Sequence, residues 1–372
     1  MQIDCNQKWS LRMADSEMIR EPLKLKKWGA YDSGVVLKGI EQVWRGTKDQ
    51  KYFDYLKKNV DEYIEADGII RTYELEEYNI DHVNNGKLLL TLYRETGAEN
   101  YKKAAYLQRE QLKTHPRTSE GGFWHKNIYP HQMWLDGIFM GSPFYAEFAK
   151  LFNEPEIFDD VAHQVILIAK HTKDPKTGLF YHGWDESKQH KWANPETGCS
   201  PNFWGRAMGW YAVAIVDILD FLPENHPKRN EIITIFQEMI AAVIKVQDNK
   251  TGLWYQVLDQ GGREGNYHEA SASSMFVYAI AKGVHQGYLD QKYLKSAHKG
   301  FDGIIKNLIQ IDGQGLVNLT QVCSVAGLGQ TAPENPYRDG SFEYYISEPV
   351  VTNDPKGVGA FILASIEIEK AG

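Results

Sequence analysis

Cysteine is scarce in this chain of 372 residues, which contains only Cys5, Cys199 and Cys323. The number is odd, the three lie far apart in sequence, and none belongs to a CxxC pair. This spacing favours reduced thiols over a disulfide framework and argues against a metal site built on cysteine. We therefore expect a cytoplasmic protein.

Long apolar runs are also missing. No window approaches 18 unbroken apolar residues, and the segment from Met1 to Glu17 lacks a basic stretch followed by an apolar one. A membrane span and a secretory signal both need such runs. The chain is thus expected to be soluble and unexported, with no membrane as partner.

Positive charge is not concentrated anywhere in the chain. The net charge of −8 is spread along the sequence without a block of Lys or Arg. Binding to nucleic acid or to anionic membranes needs such a block, so neither is an expected partner. An acidic polymer would have to be held by a local basic pocket.

Several catalytic motifs are absent as well. The sequence has no GxSxG elbow, no HExxH, no P-loop and no GxGxxG between a strand and a helix. Six histidines lack recognised metal-binding spacing, namely His125, His131, His163, His171, His182 and His190. We therefore expect no metal and no cofactor.

What the sequence does have is an internal repeat. Glycine-rich turns recur at intervals of about 55 to 75 residues, and two of them share Lys-Thr-Gly-Leu-aromatic-Tyr. The turns are Asp67-Gly68, Gly121 to Phe123, Thr177 to Tyr181, Thr251 to Tyr255 and Gly313 to Leu316. Short β-like pieces are expected in these loops, at residues 179–182, 253–257 and 316–320.

Two helical stretches lie between successive turns. The first is rich in small and apolar residues, as at 32–44, 80–93, 134–152, 203–221, 270–284 and 357–368. The second is charged and amphipathic, as at 52–64, 101–112, 156–169, 231–246 and 293–308, with 10–19 as a sixth. An apolar helix belongs inside and an amphipathic one outside. The pattern predicts an all-α (α/α)6 barrel of six helical hairpins, one domain over residues 1–372, with an open α-solenoid as the alternative.

Three acids lie near the start of predicted inner helices, at Asp32, Asp81 and Asp136. They are expected to face one mouth of the barrel. Two neighbouring carboxylates raise each other's pKa, while a helix N-terminus lowers it, and this contest decides whether one carries a proton near neutrality. Asp136 is the leading catalytic candidate. The alternative, for Asp81 as well, is that the carboxylate only caps a helix.

Aromatic and basic side chains are concentrated in the loops around this predicted mouth. They are Tyr31, Trp124, His125, Lys126, Tyr129, His131, Trp134, His182, Trp184, Trp192, Trp204, Arg206, Trp210, Trp254 and Tyr255. Ten tryptophans in the chain favour a platform for sugar rings, with core packing as the alternative for each of them. Arg206 at a helix start is unusual, since the helix dipole disfavours a cation there, and a carboxylate ligand would compensate.

The middle third of the chain resembles a known family. The motifs are Ser119-Glu120-Gly121-Gly122-Phe123-Trp124-His125-Lys126, Gln132-Met133-Trp134-Leu135-Asp136-Gly137, Thr177 to His182, Phe203-Trp204 with Arg206, and Thr352-Asn353-Asp354. They are similar to those of the unsaturated rhamnogalacturonyl hydrolases, glycoside hydrolase family 105. The resemblance runs from about Trp28 to the C-terminus and implies an (α/α)6 barrel.

The resemblance also implies a substrate and a set of site residues. The substrate would be a pectin-derived oligosaccharide with a 4,5-unsaturated uronic acid at its non-reducing end, bound by a monomer or weak homo-oligomer. Asp136 matches the catalytic acid and Asp81 the second, sugar-binding aspartate. Positions that match substrate contacts are Tyr31, His125, Lys126, His182, Trp204, Arg206 and Trp210.

Such a substrate is a vinyl ether, and protonation at C4 gives an oxocarbenium ion at C5 that water attacks. The hemiketal then opens and releases the aglycone, so one carboxyl group suffices as acid and base. The stretch from Cys323 to Ser347 departs from shorter family members and is expected to cover the mouth. Three alternatives remain: an unsaturated glucuronyl hydrolase, an ordinary hydrolase of saturated sugars and a non-catalytic carbohydrate-binding barrel.

Overall fold

A computed structural model describes residues 7–370 of the chain. Cys5 lies outside the described residues. Thirteen helices occur in this part, numbered in order: α1 Trp9–Arg20, α2 Tyr31–Thr47, α3 Gln50–Asp61, α4 Gly86–Thr96, α5 Glu99–Thr114, α6 Leu135–Phe152, α7 Ile157–Thr172, α8 Gly205–Ile218, α9 Arg229–Lys245, α10 Ala270–His285, α11 Leu294–Asn307, α12 Phe342–Ser347 and α13 Pro355–Glu369.

Six of these helices form an inner ring, in the order α2, α4, α6, α8, α10 and α13. Each packs against the next, and α13 packs against α2. The amphipathic helices α1, α3, α5, α7, α9 and α11 pack outside. The (α/α)6 prediction is therefore confirmed, and the open solenoid is wrong because the first and last inner helices are in contact.

The seam between α2 and α13 depends on glycine. A Cβ atom placed on Gly359 of α13 would lie 2.5 Å from the carbonyl carbon of Val35 on α2. Backbone cannot yield at that distance, so only glycine permits this approach. The ring thus closes where the sequence supplies a residue without a side chain.

Short strands occupy the loops that connect the hairpins. β1 (Gln132–Trp134) pairs antiparallel with β2 (Gly183–Asp185), β3 (Ile309–Ile311) with β4 (Val317–Leu319), and β5 (Val322–Cys323) with β6 (Val350–Val351). The piece predicted at 316–320 thus contains β4. The pieces predicted at 179–182 and 253–257 form only isolated bridges, and the strand near the first of them begins at Gly183.

The inner helix predicted from Ile80 is also shorter than expected. Residues Ile80–Val83 form a separate 3-10 turn, and α4 begins only at Gly86. The side chain of Asn85 donates to the backbone oxygens of Trp28 and Ala30. These bonds tie Asn85 to the segment before α2, 55 to 57 positions away in sequence, so the helix begins after Asn85 and Asp81 lies on the turn.

Candidate active site

Asp136 lies at the junction of β1 and α6, as the second residue of the helix. It is 8% exposed, and α6 has no side-chain cap. Its Oδ2 atom is buried without a hydrogen-bond partner, although Nε2 of His182 lies 3.2 Å away. The structure therefore does not support the interpretation of Asp136 as a helix cap.

Asp81 is held very differently. Its Oδ2 lies 2.7 Å from Nζ of Lys126, and its Oδ1 lies 3.6 Å from Nε2 of His125. Burial alone would raise the pKa of Asp81, but Lys126 and His125 outweigh burial and lower it below its ordinary value. Asp81 is thus an ionised, paired carboxylate, and it is Asn79 that caps its turn.

His125 belongs to an aromatic group beside Asp81. Its ring stacks on Trp134 with centroids 4.2 Å apart, and the ring of Tyr129 lies 4.9 Å from Trp134 and 6.4 Å from His125. Burial lowers the pKa of His125 to about 4, against the opposing effect of Asp81. The imidazole is therefore neutral at physiological pH.

His182 is completely buried beside Asp136. Its Nδ1 lies 2.8 Å from the hydroxyl of Tyr345, and its ring lies 4.7 Å from that of Trp204. Trp204 is oriented in turn by the hydrogen bond from its Nε1 to Oε1 of Gln256, 3.1 Å long. Tyr345 and Trp204 thus hold the imidazole, while its Nε2 faces Asp136 without a hydrogen bond.

Arg206 lies under the mouth, 1% exposed. Its Nη1 donates to the backbone oxygen of Cys323 and lies 3.9 Å from Oε1 of Glu269. Burial would lower the pKa of Arg206, but Cys323 and Glu269 hold it above its ordinary value. The compensation expected from a bound carboxylate is therefore partly supplied by Glu269, while Nε of Arg206 remains without a partner.

Tyr31 and Trp210 meet across the inner ring, because α2 and α8 lie on opposite sides of it. Tyr31 begins α2, and its ring meets the edge of Trp210 on α8 at 6.3 Å. Trp210 stacks on Phe139 at 4.3 Å, and its Nε1 is buried without a partner. Burial and then the nearby charge of Asp81 raise the pKa of Tyr31, which keeps its hydroxyl neutral.

The predicted residues therefore gather in one place. A cavity of about 630 Å³ opens beside them and is lined by Tyr31, Asp32, Asp81 and Lys126 among others. Trp254 belongs instead to the core, where its Nε1 donates to the backbone oxygen of Val243. Within residues 7–370, no group of three or more His, Cys, Asp and Glu side chains is arranged to hold a metal ion.

Sequence reasoning missed two residues that complete the site. Glu269 precedes α10, caps it by accepting from the backbone N–H of Ala272, and approaches Arg206. Tyr345, on α12, reaches His182. An acid before an apolar helix was a usable signal for Glu269, whereas nothing local in the sequence distinguishes Tyr345 from Tyr344.

The final loop contacts the mouth, as expected. Leu328 packs in one cluster with Tyr129, Trp134 and Trp192. A Cβ atom placed on Gly327 would lie 2.9 Å from Nη1 of Arg338 and 3.6 Å from the ring of Trp134, so the guanidinium of Arg338 lies near Trp134. Arg338 has no ion-pair partner within residues 7–370. The loop thus adds a cation to the site.

A buried carboxyl with one unpartnered oxygen, next to stacked aromatic rings and close to an open cavity lined by Tyr31 and Asp81, describes an acid–base enzyme for a ring-shaped, hydroxyl-rich ligand. A family model described as Glycosyl Hydrolase Family 88 matches residues 4–371. The chain belongs to this family and is a glycosidase.

Solved structures and curated relatives agree. A structure from C. acetobutylicum ATCC 824, described as a glycoside hydrolase from family 105, is 53% identical, with a TM-score of 0.95 over 98% of this chain and 100% of that one. Unsaturated rhamnogalacturonyl hydrolase YesR of Bacillus subtilis is 29% identical over 273 residues, or 72% of this chain and 73% of YesR. Unsaturated glucuronyl hydrolase from Bacillus sp. GL1 is 12% identical and shares the fold, with a TM-score of 0.70 over 97% and 95%.

No helix within residues 7–370 combines the length and the apolar character that a membrane crossing needs. Cys199 and Cys323 are buried and unpaired.

Proposed function

We propose that this glycosidase removes a 4,5-unsaturated galacturonic acid from the non-reducing end of rhamnogalacturonan oligosaccharides by hydrating the double bond. The observation that carries the proposal is the difference between the two acids. Asp81 is paired with Lys126 and ionised, whereas Oδ2 of Asp136 has no hydrogen-bond partner. The site thus offers one carboxyl group for proton transfer, where ordinary glycosidases use two.

The chemistry needs only that one group. Protonated Asp136 gives its proton to C4, and the positive charge formed at C5 is shared with the ring oxygen. Asp136, now ionised, takes a proton from the water that adds to C5. The hemiketal opens, and the aglycone leaves as the exposed hemiacetal breaks down.

The other residues bind and orient the sugar in this proposal. Asp81 accepts hydrogen bonds from ring hydroxyls, and Lys126 and His125 hold Asp81 in place. The bound sugar is surrounded by Tyr31, His182, Trp204 and Trp210. Arg206 holds Trp204 in place, since its guanidinium carbon lies 4.8 Å from the centre of the Trp204 ring. The sequence similarity to YesR supports the choice of galacturonate linked to rhamnose.

The test is a panel of disaccharides made by lyases. Loss of the ultraviolet absorbance of the double bond is expected for unsaturated galacturonyl rhamnose, without added metal or nucleotide. In deuterated water the product should carry deuterium at C4, because the proton goes to carbon. Saturated galacturonides and p-nitrophenyl glycosides should be inert.

Other results of this panel would favour a different class of hydrolase. Faster turnover of glycosaminoglycan disaccharides would favour an unsaturated glucuronyl hydrolase. Good turnover of a saturated glycoside, inhibition by a chelator, or a product without deuterium at C4 would favour an ordinary hydrolase.

A further inference from the structure

We propose that Tyr345 is a positioning residue, which holds the ring hydrogen of His182 on Nε2, the nitrogen that faces Asp136. The catalytic consequence of this inference rests on the proposed function, whereas the position of the hydrogen does not.

His182 has one protein neighbour at each ring nitrogen. The hydroxyl of Tyr345 lies 2.8 Å from Nδ1, and Oδ2 of Asp136 lies 3.2 Å from Nε2. The residue is 0% exposed, so neither nitrogen faces bulk water. A neutral imidazole has one N–H, and the hydrogen bond at one nitrogen decides which nitrogen carries it.

The hydroxyl of Tyr345 has no hydrogen-bond partner within residues 7–370 other than His182. Tyr345 is 0% exposed, and burial, then Tyr344 and Asp136, raise its pKa, so the group stays a neutral phenol. If it accepted a hydrogen bond from Nδ1, its own hydrogen would be buried and unpaired, which costs free energy. The hydroxyl therefore donates to Nδ1, and the hydrogen of His182 lies on Nε2.

Tyr345 is held firmly enough to impose this arrangement. It lies on α12, whose N-cap Ser341 accepts a hydrogen bond from the backbone N–H of Tyr344. Its backbone oxygen accepts from Nε2 of Gln256 at 3.0 Å, and its ring is nearly parallel to that of Trp204. Gln256 thus orients Tyr345 and Trp204 together.

The consequence for the reaction concerns both oxygens of Asp136. With Nε2–H facing Oδ2, the transferable proton of the neutral acid is on Oδ1. Once that proton has moved to C4, the N–H at Nε2, 3.2 Å from Oδ2, stabilises the carboxylate charge by proximity, while Oδ1 is free to accept the proton of water. Tyr345 acts through His182 and does not touch the reacting atoms.

Nitrogen NMR of enzyme labelled with ¹⁵N-histidine tests the inference directly. The signals of His182 are identified by their loss in His182→Asn, and neutral imidazoles with the hydrogen on Nδ1 or Nε2 are distinguishable. We expect the Nε2–H form in the unliganded wild type and a loss of this preference in Tyr345→Phe. The Nδ1–H form in the wild type would overturn the proposal without bearing on the substrate.

Kinetics provide the second readout, with Tyr344→Phe as a matched control. The hydroxyl of Tyr344 accepts from the backbone N–H of Gly327 at 3.0 Å and has no hydrogen bond to His182. We expect Tyr345→Phe to lower kcat about tenfold, the effect of about one hydrogen bond, with little change in KM and near-normal kcat in Tyr344→Phe. Equal kcat values in the two variants would overturn the catalytic part. A wild type inert on every unsaturated uronide would instead refute the proposed function.

Discussion

The two ends of the barrel both bury charged groups, and they treat them in opposite ways. At the far end, Nζ of Lys282 lies 2.7 Å from both Asp217 and Asp220, and Glu147 is paired with Arg94 at 3.0 Å. At the mouth, buried atoms of Asp136, His182, Arg206 and Trp210 have no hydrogen-bond partner. Both ends enclose a cavity, about 180 Å³ at the far end and about 630 Å³ at the mouth.

This difference separates structural charges from functional ones. Buried polar groups are normally satisfied, and an unsatisfied one in a folded protein needs an explanation. At the far end most of the acids and bases are paired with one another, with Lys87 as an exception, so that cavity needs no ligand to balance most of its charge. At the mouth, Asp136 and His182 face each other without a hydrogen bond, and in the proposed function a sugar and a water molecule would supply partners to the unsatisfied groups. Four predictions test this contrast.

The largest effect is expected for Asp136→Asn. Asparagine keeps the size of the side chain but has no proton to transfer, so turnover should fall about 10²–10⁴-fold while the disaccharide still binds. Rates from ultraviolet absorbance and binding by calorimetry check this. Asp159→Asn is the control, because Asp159 is an exposed acid in the first turn of the outer helix α7. More than about a tenth of wild-type turnover in Asp136→Asn would contradict the assignment.

At the far end, Lys282→Met should affect stability and not catalysis. It leaves Asp217 and Asp220 facing each other, and removing one partner of a buried pair costs about 3–5 kcal/mol. We expect about 3 kcal/mol in the free energy of unfolding, the lower end of that range, since the side chain of Asp220 is 35% exposed. Urea denaturation measures it, with the exposed Lys295→Met as control. A large fall in kcat for folded Lys282→Met would contradict the prediction that the far end contributes only to stability.

Arg206→Ala should lower kcat/KM by a factor that corresponds to about 1.5–3 kcal/mol of transition-state stabilisation, the range for hydrogen bonds to charged groups. Glu269 keeps its bonds from the backbone N–H groups of Ala272 and Cys323, so the fold should persist. Lysine should rescue only partly, because it lacks the planar fork that spans Cys323 and Trp204. An unchanged kcat/KM in Arg206→Ala would remove this residue from the functional end.

The smallest effect is expected for Lys87, which lines the far cavity but has no paired acid within residues 7–370. Its Nζ lies 4.0 Å from the ring centre of Phe139, and burial lowers its pKa from 10.5 to about 7. Between these values the unfolded chain binds more protons, so the stability of the wild type should rise with pH. In Lys87→Met this contribution is lost.

The free energy of unfolding of both proteins at several pH values between about 7 and 9 measures this contribution. The stability of the wild type relative to Lys87→Met should increase by at most about 1.4 kcal/mol per pH unit. A difference independent of pH would mean that Lys87 has an ordinary pKa.

Much of the architecture was predictable from local pattern alone. The alternation of apolar and amphipathic stretches predicted twelve helices in two rings, because burial on all sides demands an apolar surface on all sides. Spacing also placed Asp136 and Arg206 at helix starts, and such starts share one end of the barrel. The boundary at Ile80 was wrong because the bonds of Asn85 to Trp28 and Ala30 cross between segments.

What the sequence determined by itself was therefore the repeat, the ring of helices and the residues brought to the mouth. The tertiary structure decided the ionisation and the hydrogen-bond partners of each residue at the mouth. Only the fold shows that Lys126 keeps Asp81 ionised, that Glu269 lies near Arg206, and that Tyr345, over 160 positions from His182 in sequence, lies 2.8 Å from it. The physical reason is that protonation and hydrogen-bond satisfaction depend on distances across the barrel, which local periodicity does not encode.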